Sequence, residues 1–418
     1  MREMKDSGVA WIGEIPKSWN LERLQWHISE IKETNKPEKT KQILSLTNKR
    51  GVIPYEEKGA QGNVSKEDLS QYKLAYPDTI VANSMNVLIG SVGKCNYYGC
   101  VSPVYYVYKP NDGENLEFIN YIFQTEQFQK ELRRYANGIL EIRLRVSSDG
   151  ILKRKVAFPS TDEQQKIVVY LNQKLSQVDS LIANVQAQIE KLKAYKQSLI
   201  TEVVTKGLDL NAPMKDSGVD WIGTIPENWN VVKTGRLFRE NNRCPIGNDV
   251  PLSLSQADGL VATADMKESS LETSSYDNWK RVEIGDLVLN RFKAHLGVLF
   301  AAKLTGIVSF HYGVYEAQCR LVPKFYEYLY HSNQYKAILG NASNGMVVGL
   351  QNLSNLSFYT TYSLYPPYAE QEKIADYLDA KCSQIDQLIS LKESKIEKLQ
   401  QYKRSLIYEY VTGKKEVV

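Results

Sequence analysis

Little in this chain of 418 residues speaks for chemistry of its own. It has only 5 cysteines and 4 histidines, all scattered. Cys95, Cys100, Cys244, Cys319 and Cys382 form no CxxC pair, and no group of histidines joins them, which argues against a structural zinc site. Cys95 and Cys100 lie close enough to suggest a redox pair, but in a cytosolic chain plain strand residues are expected there. No apolar run approaches the roughly 18–20 residues that span a bilayer. The stretch Met1-Arg2-Glu3-Met4-Lys5-Asp6 has no apolar segment of the kind a secretion signal needs. A cytoplasmic protein without a membrane segment is expected. No glycine-rich loop after a strand and no GxxxxGK[ST] marks a nucleotide or other cofactor site. Pro77-Asp78 lacks the nearby Glu-x-Lys that would complete a nuclease metal set, and Glu393-Ser394-Lys395 falls on a charged helical face. No metal ligands and no catalytic residues are expected.

What the chain does have is a second copy of itself. Met4-Lys5-Asp6-Ser7-Gly8-Val9, Trp11-Ile12-Gly13, Ile15-Pro16 and Trp19-Asn20 return as Met214 through Val219, Trp221-Ile222-Gly223, Ile225-Pro226 and Trp229-Asn230. Glu163-Gln164, Lys166-Ile167, Tyr170-Leu171 and Gln177-Val178-Asp179 return as Glu370-Gln371, Lys373-Ile374, Tyr377-Leu378 and Gln384-Ile385-Asp386. Solenoid units run only about 20–50 residues, so a repeat this long duplicates whole modules. The expected division is a border at 1–20, a module at 21–158, a helix at 159–207, a second border at 208–230, a second module at 231–367 and a second helix at 368–418.

Both helical segments carry a heptad pattern. Leu171, Leu175, Val178, Ile182, Ile189 and Leu192, with Val185 between Ile182 and Ile189, alternate steps of four and three, and Leu378, Ile385, Ile389, Ile396, Leu399 and Leu406 fall on the same heptad frame. These are the expected helix-pair packing residues, with Lys196 and Lys403 as matching polar insertions that fix register. At about 1.5 Å per residue, some 40 residues give a helix near 60 Å. A long antiparallel pair within the chain is expected, because neither helix can bury its stripe alone.

Between the borders the two modules diverge over a thin common framework. Leu44-Ser45-Leu46, Val81, Asn83, Val101-Ser102 and Asn137-Gly138 match Leu252-Ser253-Leu254, Val288, Asn290, Val308-Ser309 and Asn344-Gly345. Val, Ile, Tyr and Phe-rich runs at 79–89, 99–108, 286–300 and 306–321 read as strands, and 116–135 and 323–339 as helices. Each module is thus α+β. From 17 to 158 there are 21 basic and 16 acidic residues, against 13 and 12 from 227 to 368, so the first module carries the basic excess within a net charge of +4. One fold with changed loop chemistry suits two recognition surfaces. Asn83, Ser84, Met85, Ser91, Lys94, Tyr97, Arg143 and Arg145 are the candidates in the first module. Asn290, Arg291, Lys293, His295, Asn344 and Gln351 are those in the second. Most are types whose donors and acceptors suit base edges or phosphates.

In this order of module, helix, module, helix, the chain resembles the specificity subunits of type I restriction–modification systems. The motifs that carry the resemblance are the paired Asp-Ser-Gly-Val-x-Trp-Ile-Gly-x-Ile-Pro borders and the paired Glu-Gln-x-Lys-Ile helices. Asn83 through Gly93, leading to Val101-Ser102-Pro103 and Tyr105, adds a third. Val308-Ser309-Phe310 departs from the Val-Ser-Pro pattern. The resemblance implies two pseudo-twofold-related target recognition domains separated by the helix pair, each reading one half of a split duplex DNA site. It implies a non-catalytic chain that recruits two modification (methyltransferase) subunits carrying S-adenosylmethionine. Motor-endonuclease restriction subunits using ATP and Mg would follow. The N-terminal border is expected to lie against the end of the C-terminal helix. Two other readings compete. In an amino-methyltransferase, Tyr365-Pro366-Pro367-Tyr368 would be the motif, but Tyr365 lacks the carbonyl acceptor that an Asn or Asp supplies. A bare coiled-coil scaffold would explain the helices but not the diverged polar loops.

Overall fold

The computed structural model describes residues 2–47, 50–59, 68–138, 144–256, 258–266, 276, 278–343 and 352–417. The chain forms two compact units, Met1–Val185 with Ser394–Val418, and Gln186–Glu393. Each is mixed α and β, and each long helix contributes to both.

The two borders fold alike because their identical residues make identical local bonds. Met4–Asp6 pairs antiparallel with Glu14–Pro16, and Met214–Asp216 with Thr224–Pro226. At each tip an aspartate oxygen accepts the N–H two residues on, Asp6 from Gly8 at 2.9 Å and Asp216 from Gly218 at 3.0 Å. This is the Asx turn that short carboxylates favour. Gly8 and Gly218 occupy the left-handed region (φ 66° and 71°), which costs glycine little.

The modules share one sheet topology. In the first unit a four-stranded antiparallel sheet runs in the order Ile28–Ile31, Tyr105–Pro110, Thr79–Asn83, Val92–Cys95. In the second the order is Phe238–Glu240, Tyr312–Ala317, Leu287–Asn290, Leu299–Ala301. Of the four runs read as strands, 79–89 and 286–300 each contain a short 3-10 helix, Val87–Ile89 and Arg291–Leu296, and 99–108 and 306–321 are each split by a turn into two strands. Likewise, each predicted module helix is two helices. Leu116–Phe123 stops where Thr125 caps Glu126–Arg133, and Pro323–His331 stops where Ser332 caps Asn333–Asn341. A hydroxyl accepting from a first-turn N–H ends one helix and starts the next. Cys95 and Cys100 lie buried on strands, and burial pushes both thiols up, Cys100 to about 11.

The central helix, Thr161–Lys206, and the C-terminal helix, Tyr368–Val411, have 46 and 44 residues. In the first unit Ile167, Leu171 and Leu175 share a core with Leu406, Ile407 and Tyr410. In the second, Leu199, Ile200 and Val203 share one with Ile374, Leu378, Cys382 and Ile385. The start of one helix therefore meets the end of the other, which is antiparallel packing. Val178 and Ile189 are buried; Ile182, Leu192, Ile389, Ile396 and Leu399 are partly so. The two seam lysines bond the aspartates of the repeated Gln-x-Asp. Lys196 Nζ lies 2.7 Å from Asp386 Oδ2, and Lys403 Nζ lies 2.6 Å from Asp179 Oδ1. These pairs are half exposed, so they are expected to set register more than stability.

The expected closure of the chain occurs within the first unit. Lys414 Nζ donates to the carbonyls of Ile12 and Glu14 (2.8 and 3.1 Å), and Tyr408 Oη donates to that of Trp11 at 3.1 Å. Arg2 Nη2 donates to Gly413 O at 3.0 Å, while Arg2 also pairs with Glu163 and lies over the Trp19 ring. The repeated glutamine has a role that its sequence does not announce. Gln164 and Gln371 are buried, and each bonds backward to a proline carbonyl at its helix start, Pro159 (3.3 Å) and Pro366 (2.8 Å). Each also accepts from a module helix N-terminus, Asn115 N at 3.3 Å and Val322 N at 2.9 Å. The Tyr-Pro-Pro-Tyr stretch joins strand Tyr362–Tyr365 to the C-terminal helix.

One partly buried group is expected to give the second unit a pH dependence. His331 Nε2 lies 2.7 Å from Leu299 O. Burial, then the charges of Lys336 and Lys324, push its imidazole down to about 4. An unfolded histidine titrates near 6.5, so between these values the unfolded chain binds the proton more tightly. The stability from a neutral His331 is complete above pH 6.5 and is lost as pH falls toward 4, by at most about 3 kcal/mol. Urea unfolding at pH 7 and pH 4.5 checks this. His331→Gln is expected to lose less stability than the parent over that interval, whereas equal losses would contradict the assignment.

Candidate nucleic-acid interface

Each four-stranded sheet ends at one side in a turn that both copies build alike. After strand Thr79–Asn83, Asn83 Oδ1 accepts Met85 N at 3.0 Å; after Leu287–Asn290, Asn290 Oδ1 accepts Phe292 N at 3.1 Å. Gly90 and Gly297, both left-handed (φ 77° and 72°), close the turns and return the chain to the next strand. A third segment joins each tip, through Val146 N to Ser84 O at 3.0 Å and Leu353 N to Arg291 O at 3.1 Å. The first tip thus gathers Ser84, Met85, Asn86, Ile89 and Arg145. The second gathers Arg291, Phe292, Lys293, His295, Leu296 and Asn352.

The candidates sort by what their side chains already hold. Asn83, Ser84 and Ser91 are buried, and Asn83 and Asn290 spend their amide oxygens on the turn. Arg291 Nη2 bonds Glu240 Oε1 at 2.5 Å and Asn355 Oδ1 at 2.8 Å. Burial pushes the Glu240 carboxyl up, but Lys280, Asn355 and Arg291 outweigh it and hold it below its ordinary value. The same frame in the first module is Glu30 with Lys73, and Tyr108 with Ser148. Arg291 is thus a cation added beneath the second tip. Met85 and His295 are partly buried, whereas Arg145 and Lys293 are exposed.

Two candidates sit elsewhere. Lys94 pairs with Asp78 at 3.1 Å, and Tyr97 follows the strand that Lys94 lies on. Both belong to the end of the sheet away from Asn83, since Thr79 faces Cys95 there. At about 3.3 Å per residue, four residues separate the two ends by roughly 13 Å. Arg143, Asn344 and Gln351 lie outside the described residues.

Selecting polar residues misses part of both tips. Ile89 (64% exposed) and Leu296 (40%) are equivalent apolar residues left in solvent, and Asn352 occupies the place of Arg145. The turn segments 83–90 and 290–297 contain no Asp or Glu. Positions 83–90 read Asn-Ser-Met-Asn-Val-Leu-Ile-Gly and positions 290–297 read Asn-Arg-Phe-Lys-Ala-His-Leu-Gly, in a chain with 48 acidic residues. Among the described residues no cluster of three His, Cys, Asp or Glu could hold a metal ion, and no helix is long and apolar enough to cross a membrane.

No family model matches the chain. It is 24% identical to a type I restriction enzyme MjaX specificity subunit assigned in Methanocaldococcus jannaschii, over 96% of this chain and 95% of that one. The type I restriction enzyme MjaVIII specificity subunit of the same organism is 25% identical over 62% of each chain. Among solved structures, a chain from work on complex assembly and conformational transition of the type I R-M system superposes with a TM-score of 0.72. It shares 13% identity and covers 95% of this chain and 98% of that chain. The HsdS subunit from Thermoanaerobacter tengcongensis gives a TM-score of 0.55, again at 13% identity, over 96% and 98%. The expected fold of two α/β units divided by long helices is the fold those structures share. By sequence along nearly its whole length, and by fold, the chain is a relative of the specificity subunits of type I restriction–modification systems.

Proposed function

We propose that the chain is the non-catalytic sequence-reading subunit of a type I restriction–modification complex, binding a bipartite duplex site with one half-site per module. The observation that carries this reading is the pair of tips. The turn scaffold is the same at both, down to the asparagine and the glycine, while the side chains it carries change from the partly buried Met85 and the exposed Asn86, Ile89 and Arg145 to the exposed Phe292, Lys293, Leu296 and Asn352. Conserving a platform and varying its outer side chains suits a protein that presents two sequences' worth of contacts. Absence of Asp and Glu from the turn segments 83–90 and 290–297 suits a polyanion. The helix pair, with its two lysine–aspartate locks, would serve as spacer and as the docking surface for two modification subunits. Those subunits would carry S-adenosylmethionine, and restriction subunits would bring ATP and Mg; this chain would need no cofactor.

Binding of the assembled complex to duplex DNA tests the reading. The logarithm of the affinity is expected to fall linearly with that of salt, by about 0.9 for each phosphate neutralised. A competitor carrying the intact split site is expected to win over scrambled duplex at every salt concentration. A flat salt response without sequence preference would favour the scaffold reading instead.

A further inference from the structure

The second tip carries a feature with no counterpart in the first. Phe310 (52% exposed) and Phe292 (38% exposed) flank the exposed His311, with ring centroids 3.9 and 5.5 Å from it. The first module has Met85, Pro103 and Val104 at these places. The cluster is held from behind. Asn290 fixes the Phe292 backbone, and Tyr312 N donates to Ser309 O at 2.9 Å, closing the turn that carries Phe310 and His311. Neither phenylalanine belongs to the hydrophobic cores of its unit. Large apolar side chains kept in solvent on a fixed support mark an interaction site. Lys293 stands exposed one residue from Phe292, and the segments 290–297 and 309–312 contain no Asp or Glu, so the partner that fits is apolar in detail and anionic in bulk. In duplex DNA that combination occurs where a thymine methyl projects into the major groove between phosphate strands.

We propose that Phe292 and Phe310 make the second module a thymine reader, through apolar contact with the C5-methyl of thymine in its half-site, with Lys293 on a flanking phosphate. The proposal rests on the DNA-reading function above and adds which base group this module selects. Arg145 and the aliphatic Ile89 give the first module no such aromatic clamp, so the methyl dependence belongs to one half-site alone.

The test uses the complete complex with its modification subunits and its own split site, with the half-site of the second module assigned by exchange of residues 231–367. Thymine is replaced by uracil in one half-site at a time, which removes the methyl and keeps the pairing. Affinity is expected to fall about fourfold for each contacted methyl lost from the second half-site, and not to fall for the first. Phe310→Ala with Phe292→Ala is expected to weaken binding of the thymine duplex and to abolish its advantage over the uracil duplex. Retained discrimination at the first half-site would show that this variant is folded. Equal affinity for thymine and uracil duplexes, an unchanged advantage in the double variant, or a second half-site without thymine would each overturn the proposal while leaving the DNA-reading function standing. Loss of all sequence preference in the parent complex would overturn both.

Discussion

Exchanging residues 21–158 for the corresponding module of a specificity subunit is expected, on the proposed function, to replace one half of the methylated sequence completely and to leave the other half unchanged. The expectation rests on how the first module is attached. Part of its attachment to the rest of its unit needs no particular side chain from the module. Gln164, outside the exchanged stretch, receives a backbone N–H at Asn115, a donor any residue except proline supplies, and the pairing of Lys155–Phe158 with Asn20–Arg23 lies almost entirely inside the stretch, so it travels with the module. A replacement module that supplies apolar partners for Trp11 and Trp19, here Phe128 and Phe118, meets the same attachment points. The tip residues Met85, Asn86, Ile89 and Arg145 all lie inside the exchanged stretch, while Phe292, Lys293 and Asn352 lie outside it. Each mismatched base pair costs roughly 1–3 kcal/mol, so several changed positions in one half-site amount to a switch in sequence and not a shading of preference. Sequencing of modified bases in cells carrying the hybrid chain and its modification subunit reads both halves together. Changes in both halves would contradict independent modules.

Truncating the repeated tryptophans is expected to be the most destabilising single change in each unit. Trp19 and Trp229 are fully buried and sit where border, module and long helices meet. Trp229 packs edge-on to Phe325, with the backbone at Gly207 against its ring. Its Nε1 has no hydrogen-bond partner among the described residues, so Trp229→Ala loses packing alone, about 3–5 kcal/mol for a buried tryptophan. Trp19 packs edge-on to Phe118 and also donates Nε1 to Glu163 Oε2 at 3.0 Å, beneath the Arg2 guanidinium. Trp19→Ala strands a carboxylate–arginine pair as well, and is expected at the upper end of the same range, with Glu163→Ala following at about 1–3 kcal/mol. Urea denaturation of the full chain checks the order. A Trp19→Ala variant within 1 kcal/mol of the parent would contradict this account of the junction.

The duplicated borders and helices are legible in the sequence because identical residues at a constant offset demand identical local bonds. The heptad frame is legible for a similar reason, since a stripe of Leu, Ile and Val at alternating steps has nowhere to go but a facing helix. Other features depend on partners far along the chain. Gln164 and Gln371 look like ordinary helix-surface glutamines, and only the folded module brings Asn115 N and Val322 N to them. Polarity ranks Asn83, Arg291 and Lys293 together as candidates. The fold separates them, because Asn83 caps a turn, Arg291 is held by Glu240, and Lys293 faces solvent. Thr125 and Ser332 split helices that periodicity reads as continuous, since a capping hydroxyl does not interrupt an apolar stripe. Phe310 and Ile89 escape a search for recognition residues that selects for hydrogen-bonding types, although exposed apolar groups on a rigid turn can carry as much information.

A sequence-reading subunit dictates which bases the modification subunits methylate. That role is tested most directly by mapping methylated bases in cells that express a type I modification subunit with and without this chain. A split motif of two short half-sites, present only when the chain is present, is the predicted result. An active modification subunit whose methylation is unchanged by the chain, or shows no split motif, would contradict it.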